Sequence, residues 1–153
     1  MDEVEELISG LKDADPTARV VAAMRLSRMG VRAVPGLIDA LKDADVRESA
    51  ALVLGKIGDA SAFPALLYAL EDKDADVRES AARALEKIAE KNPGDAEVLK
   101  AVPALIDALK GKEGVVQENM ARALGKIAKG NPGTGEALKA VSALVDALTY
   151  KEV

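Results

Sequence analysis

The side chains able to do chemistry in this chain form a narrow set. Asp, Glu, Lys and Arg are plentiful, tyrosine occurs at Tyr68 and Tyr150, and there is no His and no Cys. Ser9, Ser27 and Ser49 therefore have no imidazole to activate them as nucleophiles. Zinc, haem and iron–sulfur sites cannot be assembled from their usual ligands, and no disulfide can form. Neither a G-x-x-x-x-G-K-[ST] nor a G-x-G-x-x-G phosphate loop occurs. The carboxylates, lysines and tyrosines form no recognisable acid–base arrangement, so the expectation is a protein that is not an enzyme and carries no metal or cofactor. One run, Asp72-Lys73-Asp74-Ala75-Asp76, starts like a calcium loop, but Val77 and Arg83 stand where that loop needs its Gly and its bidentate Glu. The same D-A-D triplet at Asp13–Asp15 and Asp43–Asp45 marks a recurring structural turn.

That recurrence is general. One phrase appears as EVEELISGL from Glu3, AVPGLIDAL from Ala33, AFPALLYAL from Ala62, AVPALIDAL from Ala101 and AVSALVDAL from Ala140. A second follows the first four copies: ARVVAAMRLSRMG from Ala18, VRESAALVLGKIG from Val46, VRESAARALEKIA from Val77 and VQENMARALGKIA from Val116. Leu7, Leu37, Leu66, Leu105 and Leu144 match, at separations of 30, 29, 39 and 39 residues.

Both phrases carry helical periodicity. Val34, Leu37, Ile38 and Leu41 follow i, i+3, i+4, i+7, and Val46, Ala50, Leu54 and Ile57 fall on one arc of the helical wheel. Period-2 runs are missing, and the whole chain holds three aromatics, so nothing argues for strands. The joints carry helix-end chemistry. Asp15 before Pro16 reads as an N-cap followed by proline at the first helical position. Asp45 and Asp76, with Glu48 and Glu79 three residues on, read as capping boxes. Gly30 and Gly58 read as left-handed stops. In the third and fourth units, Asn92-Pro93-Gly94 and Asn131-Pro132-Gly133 are turns, followed by short extra segments that Asp95 and Thr134 can cap. Pro103 is expected to break the helix entering from such a segment. Ser142, at the matching position, leaves the last helix free to run straight.

With 153 residues and 49% apolar content, the chain has material for one continuous core over residues 1–153. Its net charge is −5, with the acidic excess in residues 1–100 and no basic stripe of the kind that displaces counterions from a duplex, so no nucleic-acid partner is expected. No apolar run approaches the roughly 20 residues needed to cross a bilayer, so no membrane partner is expected. The acidic start is unlike a secretory signal; the expected location is cytoplasmic.

A two-helix unit of this size cannot bury its own apolar stripe, whereas stacked units share one core. The phrase D-V-R-x-x-A-A-x-A-L-G-x-I-G, preceded by A-V-P-x-L-I-x-A-L, resembles HEAT repeats, most closely the short HEAT-like subclass first named for phycobilin lyases. Asp45-Val46-Arg47, Ala50-Ala51, Leu54-Gly55 and Ile57-Gly58 carry the pattern nearly in full. Asp76-Val77-Arg78, Ala81-Ala82 and Ala84-Leu85 carry it in part, with Glu86 for Gly. The resemblance implies an all-α fold, a right-handed α-α superhelix (HEAT/armadillo-like solenoid) of four helix pairs plus a C-terminal half-repeat. The units are about 1–30, 31–60, 61–100 and 101–139, with a capping helix over 140–153. It also implies that Arg19, Arg47 and Arg78 form a structural ladder bonding Asp side chains or carbonyls at neighbouring turns, and that the unburied side of the second helices lines a concave surface.

On that side the wheel places Val20, Val21 and Met24 in the first unit and Glu48 and Leu52 in the second. It places Glu79 and Arg83 in the third, and Glu118 and Arg122 in the fourth. One end of the groove is thus apolar and the rest a charge mosaic, the pattern of a site for a protein or peptide partner, unless the first repeat twists so as to bury Val20 and Val21. Lys56, Lys87 and Lys126 form a further row near helix C-termini, where positive charge suits the helix dipole. In the last helix Val141, Leu144, Val145 and Leu148 are expected to be buried against the fourth unit. Open solenoid ends leave weak homo-oligomerisation as an option. Two alternatives stay open beside the binding scaffold. An engineered or thermophilic structural scaffold with no specific ligand would suit the idealised repeat and the scarcity of Asn and Gln. An accessory subunit of a lyase-like enzyme is implied by the subclass name alone.

Overall fold

The computed structural model describes residues 2–111 and 113–151, in ten α-helices. They are α1 (Glu3–Gly10), α2 (Pro16–Met29), α3 (Val34–Ala40), α4 (Arg47–Ile57), α5 (Phe63–Ala69), α6 (Ala75–Lys91), α7 (Ala96–Lys100), α8 (Val102–Leu109), α9 (Gly114–Gly130) and α10 (Gly135–Lys151). Single 3₁₀ turns, Gly30–Ala33 and Ala60–Ala62, lead into α3 and α5. The helices pair as α1–α2, α3–α4, α5–α6 and α8–α9, and the second members stack α2 on α4, α4 on α6 and α6 on α9. The arrangement is an all-α solenoid, and α10 closes it against α9 and α8.

The helix ends follow local chemistry. Asp15 accepts from the Thr17 amide with Pro16 behind it, and Asp95 accepts from the Glu97 amide. Gly58 ends α4 at φ 74°, a left-handed conformation that costs glycine nothing. Pro103 sits in the first turn of α8 and separates it from α7. With Ser142 at that position, the extra segment and the first-phrase helix fuse into α10, which begins at Gly135 rather than at residue 140.

The capping boxes at Asp45 and Asp76 do not form. Asp74 caps α6 by accepting from the Asp76 amide, and Asp43 accepts from the Asp45 amide ahead of α4. In each D-A-D triplet the first aspartate closes an Asx turn onto the amide two residues on; only in the third does it also cap the helix, starting α6 at Ala75. Asp13 does the same to the Asp15 amide.

The core runs the length of the stack. Val46, Ala50, Leu54 and Ile57 are all buried, as are their counterparts Val77, Ala81, Leu85 and Ile88 in α6 and Val116, Met120, Leu124 and Ile127 in α9. Phe63, the largest buried side chain, fills the start of α5. Between second helices the contact is made by small residues: a Cβ placed on Gly55 would stand 2.9 Å from the Ala84 Cα of α6. Gly125 holds the matching position in α9, and a Cβ there meets nothing within 4 Å.

Arginines tie the turns within repeats, and two of them, Arg47 and Arg78, also reach the next repeat. Arg19 donates to the Asp13 carbonyl at 2.6 Å and the Ala14 carbonyl at 3.2 Å. Arg47 Nε lies 3.2 Å from Asp72 Oδ2, charge-paired but not aligned for a hydrogen bond. Arg78 reaches the Asp72 carbonyl at 2.7 Å and both Glu113 carboxylate oxygens, at 2.8 and 3.3 Å. A second ladder lies at the other ends of the helices. Asn92 Nδ2 donates to the Gly58 carbonyl at 2.7 Å, and Asn131 Nδ2 to the Pro93 carbonyl at 2.6 Å. Each also donates to the carbonyl four residues back, Ile88 or Ile127.

The glycine pair gives a direct check on the stacking. Gly55→Ala is expected to destabilise by about 1–3 kcal/mol, because the added methyl meets backbone. Gly125→Ala is expected to stabilise by about 0.5–1 kcal/mol, since alanine favours helix and nothing opposes it. Urea unfolding of both variants measures the contrast.

Candidate functional site

The site expected from the sequence lies on the second helices, and its members fall in two rows. The first is Val20, Glu48, Glu79 and Glu118. The second, one turn on, is Met24, Leu52, Arg83 and Arg122. Val20, Met24 and Leu52 are exposed at 58%, 47% and 40%, so the first repeat does not twist to bury its apolar face. Glu48, Arg83, Glu118 and Arg122 are exposed, and Glu79 is half-buried.

Val21 is exposed as well, but it belongs to a different surface. Its counterparts Ser80 and Asn119 are buried, and they share a side of the helix with Ala84, which abuts the preceding second helix at Gly55. Val21 is open because no repeat is stacked ahead of α2 among the described residues. It shares this end of the stack with Arg25, which pairs with Glu3 at 3.7 Å.

The charges in the rows are not equivalent. Arg83 pairs with Glu79 and Arg122 with Glu118, each one turn apart on its own helix. Lys126 ties α9 to α6 through Glu86 at 3.3 Å and Glu90 at 2.8 Å, an arrangement that draws the Glu90 carboxyl below its ordinary range. The second repeat breaks the pattern, because Leu52 stands where Arg83 and Arg122 stand. Glu48 therefore has no cation one turn on. Although Glu48 is exposed, partial desolvation raises its carboxyl above the usual range, and Asp76, Asp74 and Glu79 add repulsion. The result is an apolar pair on adjacent helices, Met24 and Leu52, beside a carboxylate that no cation offsets among the described residues.

The other notable sequence features have structural employment. Asp72 serves Arg47 and Arg78, and among the described residues no cluster of three or more Asp or Glu could hold a metal ion. A cleft of about 520 Å³ near Gly58 is lined by Asp59, Lys91, Asn92 and Asp95, among others. Several of its polar groups are engaged: Lys91 Nζ donates to the Ile57 carbonyl at 3.1 Å, Asn92 to Gly58, and Asp59 accepts from the Ser61 hydroxyl and amide, which hold its carboxyl low. The asparagine ladder was hidden in the turn signals. The two Asn-Pro-Gly turns, 39 residues apart like the matching leucines of the same units, are the clue that could have exposed it.

The last helix departs from expectation. Val141, Val145 and Leu148 are exposed at 48%, 55% and 67%, and Leu144 is half-buried. The side that packs on the fourth repeat is instead Ala137, Ala140 and Ala143. In α8 the equivalents Val102, Leu105 and Leu109 are buried because α9 lies over them. No helix lies over α10 among the described residues.

The fold and the repeated phrases define an α-helical repeat protein, and the chain belongs to the HEAT-repeat family, whose model matches residues 4–86, 34–102 and 64–152. It is 41% identical over 80 residues to the phycocyanobilin lyase subunit alpha of Microchaete diplosiphon, a match covering 44% of this chain and 27% of that protein. The chain thus spans about a quarter of that curated relative. Among solved structures it resembles the complex of CpcE and CpcF of phycocyanin lyase from Nostoc sp. PCC7120, with a TM-score of 0.68 at 20% identity, covering 92% of this chain and 96% of that one. An engineered protein matches at a TM-score of 0.60 and 29% identity over 96% of this chain and 68% of its own. A designed armadillo repeat protein in complex with the peptide (KR)4 matches at 0.61 and 19% identity over 95% and 70%. Among the described residues no helix is long and apolar enough to cross a membrane.

The raised carboxyl of Glu48 has a consequence for stability. A carboxyl that protonates more readily in the folded chain than in the unfolded one opposes folding while it is ionised, and stops opposing it below both pKa values. Glu48→Gln is therefore expected to raise the unfolding midpoint at neutral pH, the gain shrinking to nothing in acid. Melting curves across that range test it, and a gain that persists in acid contradicts it.

Proposed function

We propose that this protein is a non-catalytic scaffold that binds a protein or peptide segment along the exposed side of α2, α4, α6 and α9. The observation that carries the reading is the asymmetry of the two rows. Val20, Met24 and Leu52 leave apolar surface open on adjacent helices, next to Glu48, whose charge no cation offsets among the described residues. Farther along, Arg83 and Arg122 are already paired in place. Such a surface suits a segment that brings an apolar side chain for Met24 and Leu52 and a cation for Glu48. Glu79, Arg83, Glu118 and Arg122 then select by charge, at modest energy because their pairs are exposed. Aromatic anchors, which dominate tight interfaces, are scarce here, so specificity rests on charge and shape. A designed solenoid of related fold has been solved with a peptide bound, in keeping with this use of the architecture.

A second reading, an accessory subunit of a lyase-like enzyme, rests on the partial likeness to the phycocyanobilin lyase subunit. A chromophore co-purifying with the protein, seen by absorbance, would favour it.

The groove reading predicts that partners captured by the wild-type protein are lost or weakened about tenfold by Met24→Asp, which sets an anion in the apolar pair. Arg83→Glu is expected to change which partners are captured, because it reverses one charge and leaves Glu79 unpaired. Both residues are exposed, so melting temperatures should hold. Isothermal titration with the captured partner decides the matter, and unchanged affinity in both variants overturns the reading.

A further inference from the structure

The two rows of the groove have a third beside them. One turn beyond Met24, Leu52, Arg83 and Arg122 stand Arg28, Lys56, Lys87 and Lys126. Each second helix thus carries a column at i, i+4 and i+8. In the second repeat the column reads Glu48, Leu52, Lys56, and in the third Glu79, Arg83, Lys87. The exposed side is therefore banded, with carboxylates along one edge, cations along the other, and Met24 and Leu52 between them. Arg28, Lys56 and Lys87 are exposed, and Lys126 is half-buried.

Helix ends account for only half of the basic row. The helix dipole favours positive charge within the last turn. Arg28 and Lys56 stand in the last turns of α2 and α4. Helices α6 and α9 run on past the row, and their last-turn bases are Lys91 and Lys129. What Lys87 and Lys126 share with Arg28 and Lys56 is the row, not a helix end. Ion pairing accounts for one member more, since Glu86 and Glu90 of α6 hold Lys126. Among the described residues Arg28, Lys56 and Lys87 make no ion pair. Yet acids outnumber bases in the chain by 26 to 21.

We propose that this row is the anion-binding edge of the groove, and that its occupant is an acidic, extended segment of a partner protein crossing α2, α4 and α6. The assignment rests on the groove reading above and names the chemistry of its partner. Carboxylates of the segment meet Arg28, Lys56 and Lys87, and its aliphatic side chains meet Met24 and Leu52. The opposite edge, Glu48 and Glu79, repels a uniformly anionic polymer such as a nucleic acid, so acidic residues must recur on one side only. Stacked helices lie about 8–10 Å apart, and the approach of Gly55 to Ala84 keeps α4 and α6 close. In the polyproline-II conformation three residues advance about 9.3 Å and bring the same side back. A β-strand advances about 6.6 Å in two residues and shows its opposite side at the third. The spacing thus selects an acid at every third residue.

The test titrates two labelled peptides, (Glu-Leu-Pro)4 and (Lys-Leu-Pro)4, against the full chain by fluorescence anisotropy. The net charge of −5 favours the basic peptide overall, so tighter binding of the acidic one reports the row. The acidic peptide is expected to bind saturably and about tenfold tighter than the basic one. The double variant Lys56→Glu/Lys87→Glu is expected to weaken it about tenfold. Lys129→Glu, which reverses a base outside the row, should leave it unchanged. All three lysines are exposed, so melting temperatures should hold. The assignment is overturned if the acidic peptide does not bind, if the double variant binds it as tightly as the parent, or if Lys129→Glu weakens it equally. A basic peptide that binds alone, and is lost in Met24→Asp, keeps the groove and overturns the anionic edge. If neither peptide binds, the anionic edge falls, and the groove is decided separately by Met24→Asp with captured partners.

Discussion

The structure depends on how closely its second helices approach one another. Gly55 leaves no room for a side chain against the Ala84 backbone, and Ala51, Ala81, Ala82 and Ala123 keep the rest of that layer thin. Small residues let helix axes come together, and the larger Val, Leu and Ile side chains then fill the space between layers. No single pair of helices encloses a core, so every unit depends on its neighbour for burial. Arg47 with Asp72 and Arg78 with Glu113 at one end of the joints, and the Asn92 and Asn131 rungs at the other, tie neighbouring repeats in the register that this contact requires.

The same constraint decides where surface becomes available. Residues between stacked second helices must be small or buried, so variation is confined to the rows that face out. There the chain neutralises most of its own charge, Arg83 by Glu79 and Arg122 by Glu118. In the second repeat Glu48 stands one turn from Leu52 instead of from an arginine. The departure from the repeat in these rows is Leu52, which stands where the later units carry Arg83 and Arg122.

Much of the fold was legible in the sequence because helix ends are local. Asp15, Pro16, Gly58, Asp95 and Pro103 act through their own backbones or through amides a few residues away. The D-A-D turns were misplaced by a residue or two because an Asx turn and a capping box compete for the same aspartates, and spacing does not rank them.

The sequence by itself determined the helices, the order of the repeats and the apolar stripe that each one carries, since periodicity and capping are encoded within single turns. Only the tertiary structure decided which stripes are covered. Val102 and Val141 sit in nearly the same phrase, yet one is buried under α9 and the other is open. Val20 and Val21 are neighbours, yet one lies in the outward rows of the second helices and the other at the end of the stack. Burial is a property of what lies across from a residue, and in a solenoid that neighbour is always another unit.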